Sequence, residues 1–167
     1  MNTLIRTLFC SFLMISFISC SIMHGIRKNH NFTQKTVSTL LEKNGNVFWI
    51  VADYATFSTV WTYNEDNIMI YRLAKGKVRE RKVHPNNGIS NYPIPTSKEL
   101  GLDIGNYCPF VLGGSSFAFQ IERGSEIEDF GLGVEIECLT SNTFNSDFLN
   151  KIVEDIKVYE MWDVRYE

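Results

Sequence analysis

Between Val47 and Cys138 the chain is a succession of short apolar runs and two-residue alternations, with one helical stripe on either side. This order is the strongest constraint on the fold. Alternation with a period of two marks strands with one face on a core. Parallel strands need a long crossover between neighbours, whereas antiparallel strands need only a tight turn. A run of strands bracketed by helices therefore reads as α+β: an antiparallel sheet of about five to six strands packed by an N-terminal and a C-terminal helix.

The individual elements are read as follows. Thr33 to Lys43 has the stripe Val37, Leu40 and Leu41 and a stop at Asn44-Gly45, which predicts a helix. Val47 to Ala52 is continuously apolar, as expected of a strand buried on both faces. Phe57, Trp61 and Tyr63 mark a second strand, and a turn at Asn64-Glu65-Asp66-Asn67 follows it. Ile68 to Leu73 and Val78 to Val83 read as a hairpin whose three-residue loop, Ala74-Lys75-Gly76, draws its positive φ from Gly76.

His84 to Pro109 is turn-rich and holds Pro85, Pro93 and Pro95. An irregular connection of that length often carries function. Phe117, Phe119 and Ile121 predict a half-solvated strand, and Leu132, Val134, Ile136 and Cys138 predict another. A last helix starts at Asn145 or Ser146 and buries Phe148, Leu149, Ile152, Val153 and Ile156. For Val158 to Glu167 an extension of that helix and a final strand both stay open.

Ahead of these elements, Arg6 precedes a mostly apolar run from Thr7 to Ile18 that closes on Ser19-Cys20. A cation, a short apolar core and a small-residue boundary describe a secretory signal. The run is shorter than the roughly 20 residues of a spanning helix. Phe17-Ile18-Ser19-Cys20 resembles the lipobox of bacterial lipoproteins, although Phe17 stands where an aliphatic residue is usual. The resemblance covers this segment alone. It implies a diacylglyceryl group on Cys20, cleavage before it, and, since Ser21 is not aspartate, transfer to the outer membrane. Residues 1–19 would then be a signal peptide, 20–32 a lipidated polar tether, and 33–167 a single globular domain. Plain secretion, with cleavage after Ser21 and a secreted or periplasmic product, is the alternative.

Without residues 1–19 the chain keeps 148 of its 167 residues, enough for one domain with a real core. Arg6 leaves with the signal, so 15 cations face 19 acids, a net charge of −4. That balance argues against nucleic acid as a partner. Cys108 and Cys138 remain as an even pair in an oxidising compartment, which suggests a disulfide; two free thiols are the alternative.

Cations concentrate in residues 72–82, where six stand against Glu80 alone. On an exposed hairpin they guard an edge strand, and Glu135 and Glu137 are candidates to offset Arg79 and Arg81. Arg79, Arg81 and Lys82, together with Tyr92 and Tyr107 in the proline-bearing loop, are also the candidate partner-binding residues.

Little else carries chemistry. Ser115 and Ser116 follow Gly113-Gly114, and with His84 and Asp53 or Asp103 they are the residues from which a serine-hydrolase triad would be composed. The strand–turn–helix setting of a nucleophile elbow is missing. Glu126-Ile127-Glu128-Asp129 reads as a solvated acidic loop, without the alternating spacing of a calcium site. Two cysteines without neighbouring histidines make no zinc site, and no cofactor motif is present. The expectation is a lipid-anchored, non-enzymatic envelope module that binds an envelope protein or glycan. An envelope inhibitor or immunity-type protein is the second reading, and a small serine hydrolase the third.

Overall fold

The computed structural model describes residues 2–51, 56–86, 88–94, 115–134, 144 and 146–161, with side chains from Met23 onward except Ser90, Leu132 and Val134. The fold is α+β. A long helix, α1 (Asn2–Asn44), leads into β1 (Asn46–Val51), β2 (Phe57–Tyr63), β3 (Asn67–Ala74) and β4 (Lys77–Pro85). A single 3₁₀ turn (Ile89–Asn91), β5 (Ser115–Arg123), β6 (Glu126–Val134) and α2 (Asp147–Val158) follow. All strands pair antiparallel in the order β4-β3-β2-β1-β5-β6. The first four form a meander, and β5 then returns to the free side of β1.

The two helices cover opposite faces, and the alternation of β1 divides its side chains between them. Val47 and Trp49 meet Val37, Leu40 and Leu41 of α1, with Val60, Leu73 and Tyr71 beside them. Phe48 and Ile50 instead join Trp61, Phe117, Phe119 and the α2 stripe Phe148, Leu149, Ile152, Val153 and Ile156. That stripe is the one expected from sequence. Ser146 caps α2 by accepting from the Leu149 N–H at 3.4 Å. The helix ends at Val158, which answers the open reading of the tail as far as Met161. Glu160 turns left-handed at φ 49°, and Met161 and Glu160 donate back to Ile156 and Lys157. This is a Schellman cap with the apolar residue, Met161, fully buried.

Three local expectations are corrected. The β3–β4 loop has two residues, since Ala74 pairs with Lys77, and both Lys75 (φ 53°) and Gly76 (φ 71°) are left-handed. Two positive φ values are the signature of a type I′ turn, whose twist matches the flanking strands. The bulge lies inside the hairpin, at Arg72/Leu73. The acidic segment Glu126–Asp129 is strand, because Gly124 (φ 63°) and Ser125 close a two-residue turn directly after Arg123. Finally, the helix expected from Thr33 begins much earlier: residues 20–32, expected as a polar tether, are also part of α1, and the turn at Asn29 and Thr33 lies on the sheet. Asn29 and Thr33 are buried, Thr33 Oγ1 lies 2.6 Å from Ser58 Oγ, and Gly76 N–H donates to Asn29 Oδ1 at 3.5 Å.

These contacts fix the direction of α1 along the sheet. Its earlier turns lie beside Ser58 and the Lys75-Gly76 turn, at what is here termed the basal end. Its last residue adjoins the distal end, where Gly45 C=O accepts from Glu122 N–H at 2.8 Å. Among the described residues no helix is long and apolar enough to cross a membrane.

Candidate functional site

The distal end holds a cleft of about 690 Å³. Its floor is the edge of the aromatic core, made by Phe48, Tyr63, Ile121 and Phe148, and one wall is Ile89, Tyr92 and Ile94 from the segment after β4. The rim is polar, formed by Asn44, Asn46, Asn64, Asn86, Glu65 and Glu122.

Three of the rim asparagines build the cleft, because each satisfies backbone groups where strands end. Asn46 accepts from Tyr63 N–H at 2.9 Å and donates to Tyr63 C=O at 2.8 Å. Asn64 Oδ1 accepts from the Asp66 and Asn67 N–H groups at 3.1 and 2.6 Å. Asn86 donates to Asn64 C=O at 2.6 Å and accepts from Gly88 N–H at 3.1 Å. Arg123 completes the frame by donating to Ile94 C=O. The Glu65 and Glu122 carboxylates remain exposed on the rim, and no lysine or arginine lines the cleft among the described residues. The C-terminal end of α1, with its partial negative charge, adjoins the same space.

Beneath the floor runs a buried polar chain. Trp61 Nε1–H donates to Tyr63 Oη at 3.2 Å, and Tyr63 O–H donates to Asp155 Oδ2 at 3.0 Å. Lys151 Nζ stands 3.4 Å from the other Asp155 oxygen and 2.8 Å from Glu154. Burial pushes the Tyr63 hydroxyl well above its ordinary pKa, and the Asp155 charge adds to the shift. Burial pulls Lys151 down, but the hydrogen bond to Glu154 and the Asp155 charge outweigh it and hold the amine above its usual range. The chain thus satisfies a fully buried carboxylate and locks Tyr63 in place at the cleft floor.

The residues singled out from sequence are dispersed. Tyr92 lines the cleft. Tyr107, Cys108, Cys138, Asp53 and Asp103 lie outside the described residues, and Cys20 lies in α1 with its side chain outside them. Ser115 and Ser116 begin β5 at the basal end, with Ser116 opposite Val51. His84 is near the distal end of β4, opposite Ile68, and stacks on Tyr159 with ring centroids 4.4 Å apart. Four strand spacings separate β4 from β5, about 19 Å. The fold does not bring His84 to either serine.

The cationic strand β4 forms one edge of the sheet and the acidic strand β6 the other. Glu135 and Glu137, the expected partners of Arg79 and Arg81, lie outside the described residues. Glu80 is the local counter-ion, 3.3 Å from Arg72 and 3.4 Å from Lys82. Arg72 also donates to Glu160 C=O at 3.1 Å, which ties β3 to the cap of α2. Arg81 lies over the Tyr71 ring, 5.6 Å from its centroid. Part of the cationic run is thus structural, while Lys75, Lys77, Arg79 and Arg81 stay exposed. No family model, curated protein or solved structure matches the chain.

Proposed function

We propose that this protein is a lipid-anchored, non-enzymatic binding module of the bacterial cell envelope, tethered through Cys20 and presenting the distal cleft to a partner. The observation that carries this reading is the direction of α1. The helix passes Cys20 early and ends at the cleft, so a bilayer at Cys20 and the cleft lie at opposite ends of one rigid element. From Cys20 to Asn44 the helix rises about 36 Å. A ligand in the cleft would be met well clear of the headgroups.

The lining supports a particular ligand class. An apolar aromatic floor with two rim carboxylates and a helix C-terminus favours a group with an apolar body and a positive charge. On an envelope protein this is a lysine or arginine side chain; on a glycan it is an amino sugar. The dispersal of Ser115, Ser116 and His84 supports binding over hydrolysis.

The test is made on full-length protein extracted in detergent from its own membranes. Its N-terminal peptide is expected to begin at Cys20 and to carry acyl chains. Partner capture is expected with the wild type and to fall at least tenfold in the Glu65→Gln/Glu122→Gln variant. A chain starting at Met1 or Ile22 would overturn the anchor, and capture indifferent to both glutamates would overturn the cleft.

A further inference from the structure

We propose that the basal end of the domain is itself a membrane-docking surface, with exposed cations of α1 and of the β3–β4 turn seated on anionic phospholipid headgroups. The orientation rests on the anchor reading above; the surface rests on the fold. Residues 28 and 76 are far apart in sequence, yet the Lys28 stem lies across the turn. A Cβ built on Gly76 would come within 2.7 Å of Lys28 Cγ. With the bond from Gly76 N–H to Asn29, this contact joins Arg27 and Lys28 to Lys75, Lys77 and Arg79 in one exposed group.

Three observations commit this surface to an anionic bilayer. First, its charge among the described residues is of one sign. The chain has no acid before Glu42 and none from Asn67 to Arg79, and no described residue at this end is acidic. Further up the strand, Glu80 is held by Arg72 and Lys82. Second, it is next to the anchor. Cys20 to Lys28 is about 12 Å of helix, about one and a half screening lengths at physiological salt, and lysine side chains shorten that gap. Third, exposed apolar side chains accompany the cations: Met23 is 63% and Val78 45% exposed. The distal end has the opposite balance, with Glu42, Glu65, Asp66, Glu122 and Glu126 against Lys43 and Arg123. A negatively charged surface would therefore hold the domain with its cleft outward. Each lysine near such a surface is worth about fivefold in occupancy.

The experiment is amine footprinting of the full-length protein in nanodiscs, using a water-soluble acylating reagent and peptide mass analysis. Nanodiscs of phosphatidylcholine alone are compared with nanodiscs containing phosphatidylglycerol. Lys28, Lys75 and Lys77 are expected to be labelled at least fivefold more slowly on the anionic discs, with protection lost in 0.5 M salt and Lys43 and Lys151 unchanged. In the Lys75→Gln/Lys77→Gln variant, Lys28 is expected to lose most of its protection. Equal labelling on both discs overturns the docking surface, as does protection extending equally to Lys43. The same digest reports on Cys20: protection on a chain without acyl groups keeps the docking surface and removes the anchor.

Discussion

The two ends of this sheet are finished in different ways. At the basal end β3 turns into β4 through two left-handed residues, and a lysine stem from α1 lies over the glycine. At the distal end the strands finish on asparagine side chains, whose amides stand in for backbone partners and leave a cleft above an aromatic floor. A tight turn against a helix leaves no concavity, only exposed side chains, most of them cationic. Strand ends held apart by side chains produce a concavity that can take a ligand. Phe48 and Tyr63 belong at once to the core and to the cleft floor, so the distal end draws its shape from the core, while the basal end depends mainly on one turn and one helix contact.

The sharpest way to break this contrast is Phe48→Ala. The ring stacks on Trp61 at 5.8 Å, meets Tyr63 at 5.2 Å and Phe119 at 5.4 Å, and is 1% exposed. A loss of about 3–5 kcal/mol in urea unfolding is expected, together with collapse of the cleft. A loss below 1 kcal/mol would show that the floor is not continuous with the core.

Next in size is Tyr63→Phe, which removes the donor to Asp155 and the acceptor for Trp61. The expected loss is about 1–3 kcal/mol at neutral pH. The variant also differs in alkali. Tyr63 is raised in the fold, so above about pH 10 the unfolded chain has lost a proton that the native chain keeps. Stability due to this group is therefore complete below about pH 10 and declines, at about 1.4 kcal/mol per pH unit, toward the folded pKa. The phenylalanine variant should lack that component of the decline; an unchanged alkaline slope would remove Tyr63 as its source.

A smaller effect compares the ends directly. Gly76→Ala and Gly124→Ala both put a side chain at positive φ, at 71° and 63°, but nothing lies within 4 Å of a Cβ at Gly124. Each should cost about 1 kcal/mol, and Gly76→Ala should cost more because Lys28 must move. Equal losses would mean that the Lys28 contact contributes nothing. The smallest effect expected is on folding in Glu65→Gln/Glu122→Gln, within about 0.5 kcal/mol per site, since both are exposed rim residues.

The parts of the fold that follow hydrophobic spacing were legible in the sequence. The α2 stripe, the continuous apolar run of β1 and the stop at Gly45 all appear where spacing predicts them. The turn of α1 just before Thr33 escaped because its sheet-facing position is Asn29, a polar residue that accepts from Gly76 N–H and is therefore invisible to an apolar count. The first half of strand β6 escaped for a related reason: Glu126, Glu128 and Asp129 read as solvent, although Leu132 and Val134 at its end were read as strand and the Gly124-Ser125 pair was the local signal of a hairpin. The cleft is assembled from asparagines and glutamates in separate segments, so no spacing announces it; Tyr92 alone was singled out in advance.

The most direct test of this polarity is paramagnetic relaxation of backbone amides by nitroxide-labelled headgroups, measured on the full-length protein, as extracted from its own membranes, in an anionic nanodisc. Gly76 and Gly124 lie in turns at opposite ends of the sheet, some 25–30 Å apart along its strands. We expect the Gly76 amide to be strongly broadened and the Gly124 amide to be untouched. Equal broadening, or broadening of Gly124 alone, would contradict an anchored domain that holds its cleft away from the membrane.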